Sequence, residues 1–284
     1  MKNILYLADF SSASKAALAL AVKVARTMDA KFHVLHLSSG AVSRAGPGSI
    51  PLTKWVQENS IEDSASIEVG DFPYQILTGL DDEWVSVERA IQDLQIDLLV
   101  VGILARARDE KPSLGPVVDE IFDRSPIPVL TVGNGKLGEA PDRSWFQRGL
   151  VVADFTPESK AAVSFAASLA NQNQALLTVL HVRQRPARLK HRRQFDLSAA
   201  ESYHRLYESI PAIMQLEIPC DFLLAYGHPT ELILQSAEER AADLIILGIC
   251  AHSEHVEKSQ KLARITVRQV AAFAKCPVLT LRGT

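Results

Sequence analysis

Two aspartates occupy matched places in the sequence, Asp9 within Leu7-Ala8-Asp9-Phe10 and Asp154 within Val152-Ala153-Asp154-Phe155. Each follows a short apolar run, so each is a carboxylate at a strand end, suited to accepting hydrogen bonds. Gly102 closes another apolar run, Ala105 follows three residues on, and Gly115-Pro116 opens a helical stretch after nine more residues. Small residues on a loop that runs into a helix let backbone N–H groups approach an anion such as a phosphate. Pro116 suits a first helical turn but brings neither an N–H nor a hydroxyl to that task.

Other chemistry-bearing patterns are weaker. Gly133-Asn134-Gly135-Lys136-Leu137-Gly138 spells G-x-G-x-x-G, with Asp154 about twenty residues on. A dinucleotide fingerprint needs a helix to begin inside the glycine run, whereas Glu139-Ala140-Pro141-Asp142 follows, so the match reads as coincidence. Cys250-Ala251-His252 with His255 fits no strong zinc spacing and has no evident fourth ligand, which favours a polar loop. His36 and His181 close equivalent strands with no nucleophile beside them, so they read as structural or ligand-adjacent. The chain has no G-x4-GK-[ST], no S-G-G-x-D-S loop and no H-x-G-H, so no catalytic base or metal-binding pair is identified.

The elements that must position these residues occur twice. Leu7 to Phe10 matches Val152 to Phe155, Ser14-Lys15-Ala16-Ala17 matches Ser159-Lys160-Ala161-Ala162, and Val34-Leu35-His36-Leu37 matches Val179-Leu180-His181-Val182, all at an offset of 145. Asp97 to Gly102 matches Asp243 to Gly248 at 146, and Ile127 to Thr131 matches Cys276 to Thr280 at 149. So small a drift means two copies of one domain. Within a copy, short apolar strands near 4–8, 31–37, 74–78, 97–101 and 128–132 alternate with helices near 16–25, 84–94 and 116–123. The second copy has strands near Leu150, Leu176, Asp221, Leu244 and Val278. Strands apolar on both faces and separated by helices predict a five-stranded parallel sheet covered on two sides. The expected domains are 1–137 and 138–284, joined through the Gly-, Pro- and charge-rich stretch 133–145. Two segments break the repeat, 41–72 and 183–218; the second carries Arg183, Arg185, Arg188, Lys190, Arg192 and Arg193 ahead of a helix expected over 197–208. That basic cluster reads as a solvated flank, with an anionic ligand or a protein contact as the alternative.

The 284 residues are 47% apolar and 22% charged, with a formal net charge of −3, which disfavours disordered classes and bulk electrostatic binding of nucleic acid. The three cysteines, Cys220, Cys250 and Cys276, make no disulfide framework, so a reducing, cytoplasmic setting is expected. Asp9 and Lys15 interrupt the apolar N-terminus, and no stretch reaches the roughly 18 apolar residues of a membrane span. The chain is therefore expected to be soluble and unprocessed.

Taken together, the Ala-Asp end of the first strand, the Val-Leu-His end of the second, Gly227-His228-Pro229 before a helix and the Cys276-Pro277-Val278 closing strand resemble the universal stress protein family. The resemblance covers both halves outside the two divergent segments. It implies tandem Rossmann-like domains of the adenine nucleotide alpha hydrolase-like kind, with strand order 3-2-1-4-5, paired as an intramolecular pseudo-dimer through their closing strands. It also implies an ATP or AMP site built on G-x2-G-x9-G-[ST]. Carried over, the pattern places Asp9, Leu37, Gly102, Ala105, Arg106, Gly115 and Val117 around a nucleotide in the first copy, and Asp154, Val182 and Gly248 in the second. Arg108 is a further cation on the first copy's loop. The departures are Ala105 for the middle glycine and Pro116 for the hydroxyl residue, and in the second copy a loop three residues longer with Arg264-Ile265 in place of Gly-[ST]. The resulting expectation is a non-enzymatic stress-response binding module with a degenerate nucleotide site, retained at most in the first copy. The alternatives are an enzyme that hydrolyses nucleotides or transfers phosphate, and a binder of another small ligand.

Overall fold

The structure, a computed structural model, describes residues 1–8, 12–37, 74–79, 82–103, 114, 116–133, 145–183, 192–211, 217–249 and 258–282. The chain divides into two compact units, Met1–Leu137 and Gly138–Thr284.

The first unit contains β1 (Asn3–Ala8), α1 (Ser12–Met28), β2 (Lys31–Leu37), β3 (Tyr74–Gly79), α2 (Glu83–Asp93), β4 (Leu98–Gly102), α3 (Pro116–Arg124) and β5 (Val129–Val132). All its strand pairs are parallel, in the order β3-β2-β1-β4-β5. The second contains β6 (Arg148–Val152), α4 (Pro157–Asn173), β7 (Leu176–Arg183), α5 (Arg192–Ser209), β8 (Cys220–Tyr226), α6 (Pro229–Glu239), β9 (Leu244–Ile249), α7 (Lys258–Phe273) and β10 (Val278–Arg282). Its parallel order is β8-β7-β6-β9-β10, the same topology. Even the register repeats, since Ile4 pairs with Leu98 and the equivalent Gly149 with Leu244.

Burial explains why the central strands read as continuous apolar runs. Ile4 to Ala8 and Leu98 to Gly102 are wholly buried, because a helix or a neighbouring layer covers each face. The helices after the first strand of each copy lie close to the sheet through small residues, Ala13, Ala17, Ala21 and Ala25 on α1 and Ala162, Ala166 and Ala170 on α4. Each ends in a left-handed residue, Asp29 at φ 49° and Gln174 at φ 52°, and the later helices α2 and α6 are followed by Gln95 at φ 51° and Ala241 at φ 48°. Asp97 and Asp243 pin the starts of the first strands: Asp97 accepts from the amides of Lys2 and Asn3 at 2.5 and 3.0 Å, and Asp243 from those of Gln147 and Arg148 at 2.7 and 3.1 Å.

One helix boundary departs from the sequence expectation. α5 begins at Arg192, not Leu197, so Arg192 and Arg193 belong to the helix and not to a flank ahead of it. The helix opens on Arg192, Arg193 and Gln194, which carry no apolar periodicity, whereas Leu206, inside the expected stretch, is buried. Among the described residues, no helix is long and apolar enough to cross a membrane.

Candidate functional site

In a doubly wound sheet the strand order reverses beside the first strand, so the loops leaving it and the fourth strand part and open a crevice at their carboxyl ends. Here those ends are Ala8 and Gly102 in the first unit, and Ala153 and Ile249 in the second.

Gly102 and Gly248 have a packing reason that any ligand would share. A Cβ on Gly102 would lie 2.5 Å from the backbone C of Ala13 and N of Ser14, and one on Gly248 would lie 2.6 Å from the C and O of Glu158. The first turn of α1 or α4 therefore rests directly on the fourth strand of its copy, and only glycine leaves room. In the first unit Tyr6 reinforces this turn from below, its hydroxyl lying 2.6 Å from Ser14 Oγ and donating to Ser14 O at 2.8 Å.

The other first-copy residues are less completely placed. Leu37 closes β2 in register with Gly79, and Val117 lies half-buried in the first turn of α3. Asp9, Ala105, Arg106, Arg108 and Gly115 lie outside the described residues, as do Gly135 and Gly138 and the Cys250, His252 and His255 group. Among the described residues, no cluster of three or more His, Cys, Asp or Glu side chains could hold a metal ion.

The second copy shows how its strand end is built. Asp154 Oδ1 accepts from the amide and the hydroxyl of Thr156 at 3.0 and 2.6 Å. Thr156 caps α4 by accepting from Ser159 N, Pro157 starts the helix, and Ser159 Oγ accepts from the amides of Asp154 and Phe155, each at 3.1 Å. The aspartate thus orders its own turn, and Phe155 is held in the left-handed region at φ 67°. Val182 is half-buried on β7, in register with Ala225. Beside it, the Nδ1–H of His181 donates to Ala153 O at 2.6 Å, and its ring lies 4.4 Å from that of Phe155. Burial pulls the His181 imidazole below its ordinary 6.5; the bond to Ala153 opposes this, Arg183 adds to it, Asp154 opposes and Arg205 adds. His36, its first-copy equivalent, is lowered by burial.

Phe155 and Arg205 are site features that sequence reasoning did not single out. Phe155 carried a usable signal, since it repeats Phe10 at the same offset as the aspartates. Arg205 carried none, because it lies in a segment where the copies diverge.

The helix that follows the fourth strand also differs between copies. α3 starts at Pro116, immediately after Gly115 in the chain, but Arg264 and Ile265, their equivalents at the 149 offset, lie inside α7, which begins at Lys258. An amide in a helix interior is committed to the carbonyl four residues back. The second copy therefore presents no helix start at the place where the first does.

Cys220 and Cys276 do not add reactive thiols. Burial and Asp221 push the first up to about 11, and burial and Asp243 push the second up to about 12.

Parallel sheets in 3-2-1-4-5 order, with glycines under the first helices, define a tandem Rossmann-like fold. The universal stress protein family model matches residues 1–133 and again 146–282, and the chain belongs to that family as a tandem member. The protein is similar along nearly its whole length to a universal stress protein of Archaeoglobus fulgidus, at 18% identity and a TM-score of 0.64, covering 99% of this chain and 98% of that one. It is likewise similar to a functionally unknown protein of Pseudomonas aeruginosa, at 16% identity and a TM-score of 0.57, covering 100% of this chain and 93% of that one. No curated protein matches it.

Proposed function

We propose that the protein is a non-enzymatic stress-response module whose first copy alone keeps an adenine-nucleotide site, for ATP or AMP, while the second copy serves as a degenerate partner. The observation that carries this reading is the unequal helix start: α3 opens at Pro116 after a glycine, whereas the matching residues in the second copy are interior to α7. Helix-end amides directly after the matched glycine position, which could hold an anion, occur in the first copy and are replaced by helix-interior amides in the second. In this reading Asp9, the Leu37 backbone, Gly102, Ala105, Arg106, Gly115 and Val117 surround the nucleotide, and Asp154, Val182 and Gly248 keep the scaffold without the ligand. The domain boundary after Leu137 and the pairing of the copies through their closing strands belong to the same proposal.

Calorimetric titration with ATP and AMP tests it. Saturable binding of one nucleotide per chain, lost in Gly115→Arg, is the expected result. No binding to the wild type, or two equivalent sites, would refute it. Steady ATP turnover that Asp9→Ala abolishes would instead establish the enzymatic alternative.

A further inference from the structure

The crossover helix α5 packs against β7, β8 and α4. Leu206 on α5 and Ile210 just beyond its end are buried. Buried Ser202 accepts from Arg183 Nη1 at 3.2 Å, and Tyr207 meets Phe222 with ring centroids 5.9 Å apart. One residue before Leu206, Arg205 turns from the helix to the carboxyl end of β6. Its Cζ lies 3.9 Å from the centroid of the Phe155 ring, which in turn lies 4.4 Å from His181. Guanidinium, phenyl and imidazole thus form one chain of contacts joining α5, the β6–α4 turn and β7, with the Phe155 and His181 rings tilted by 46°. Among the described residues the exposed Arg205 guanidinium makes no hydrogen bond or ion pair, and its contact is with the Phe155 ring. The backbone that carries the ring is fixed at φ 67° and tied by the bonds from the amides of Asp154, Phe155 and Thr156 described above.

We infer that Arg205 latches the crossover helix α5 to the carboxyl end of β6 by lying over the face of Phe155. The chain thereby fills with its own groups the stacking position beside His181 and the strand ends. A planar ligand would reach that position only by displacing the guanidinium. The latch goes beyond the nucleotide reading and does not rest on it: it concerns only the second copy, and it is tested without nucleotide.

The test is hydrogen exchange on the full chain, comparing wild type with Arg205→Ala, Arg205→Lys and Arg240→Ala, the last altering an exposed arginine paired with Asp221 elsewhere in the same unit. In Arg205→Ala, amides of α5 and of residues 153–156 should exchange about two- to fivefold faster, the factor matching an exposed cation–π contact. Arg205→Lys, which keeps the charge and loses the planar stack, should fall between, and Arg240→Ala should leave these amides as in wild type. Carbethoxylation of His181 by diethyl pyrocarbonate should quicken in Arg205→Ala. Unchanged exchange, unchanged labelling, the same acceleration in Arg240→Ala, or acceleration spread evenly over both copies would each overturn the latch.

Discussion

His181 shows how a single residue is tuned by what surrounds it. Its Nδ1–H is used by Ala153 O and one side of its ring meets Phe155, so a second proton must enter at Nε2, in a half-buried place flanked by Arg183 and Arg205, with Asp154 as the opposing charge. Burial, the largest influence, disfavours the imidazolium, and the folded pKa lies below the unfolded 6.5. The sign follows by linkage: the unfolded chain takes up the proton first, so the contribution of His181 to stability is complete above pH 6.5 and declines as pH falls from there through the folded value. Titration of its ring protons by NMR should give a midpoint below 6.5, and His181→Gln should flatten the fall in unfolding free energy below that pH. A midpoint above 6.5 would contradict the burial argument.

Between helix and strand, the decisive contacts are the glycines under α1 and α4. Their spacing in the sequence invites a phosphate-loop reading, yet the backbone of the facing helix fills the space that a side chain would need. The strain does not fall on a flexible side chain, so helix and strand must separate. Gly102→Ala and Gly248→Ala should each destabilise the protein by about 1–3 kcal/mol or more, the range for overpacking a close contact. Urea unfolding without any ligand checks this, and stability equal to wild type would show that the glycines answer to a ligand and not to packing. The same scale explains the divergence of the copies. Extending a helix toward its N-terminus, as α7 is extended past the point where α3 begins, buries the amides that a helix start exposes.

For the whole molecule, two copies of one fold offer two crevices but need not offer two sites. Under the proposed function, ATP binds the folded first copy and stabilises it by mass action, about 2.7 kcal/mol at a hundredfold excess over Kd. Hydrogen exchange with saturating ATP should therefore slow in 1–137 and leave the amides of 138–284 as they were. Equal protection of both copies would show that the second also takes nucleotide.

Much of the architecture was legible in the sequence, because an offset between apolar strands that drifts only from 145 to 149 requires two like domains and apolar runs on both faces require a covered parallel sheet. The strand order came through family resemblance and agrees with the pairing in both units. The first-strand aspartates and fourth-strand glycines were also visible as a pattern, since identical places in a fold constrain identical residue types. Their work was not visible. Asp154 turned inward to its own turn and Gly248 to the helix above it, both through contacts a few residues or one helix away that spacing does not reveal. Arg205 reaches Phe155 across some fifty residues of chain, and only the packing of α5 on β7 and β8 brings them together. Local pattern determines which elements form; the meeting of side chains from distant elements is decided when those elements pack.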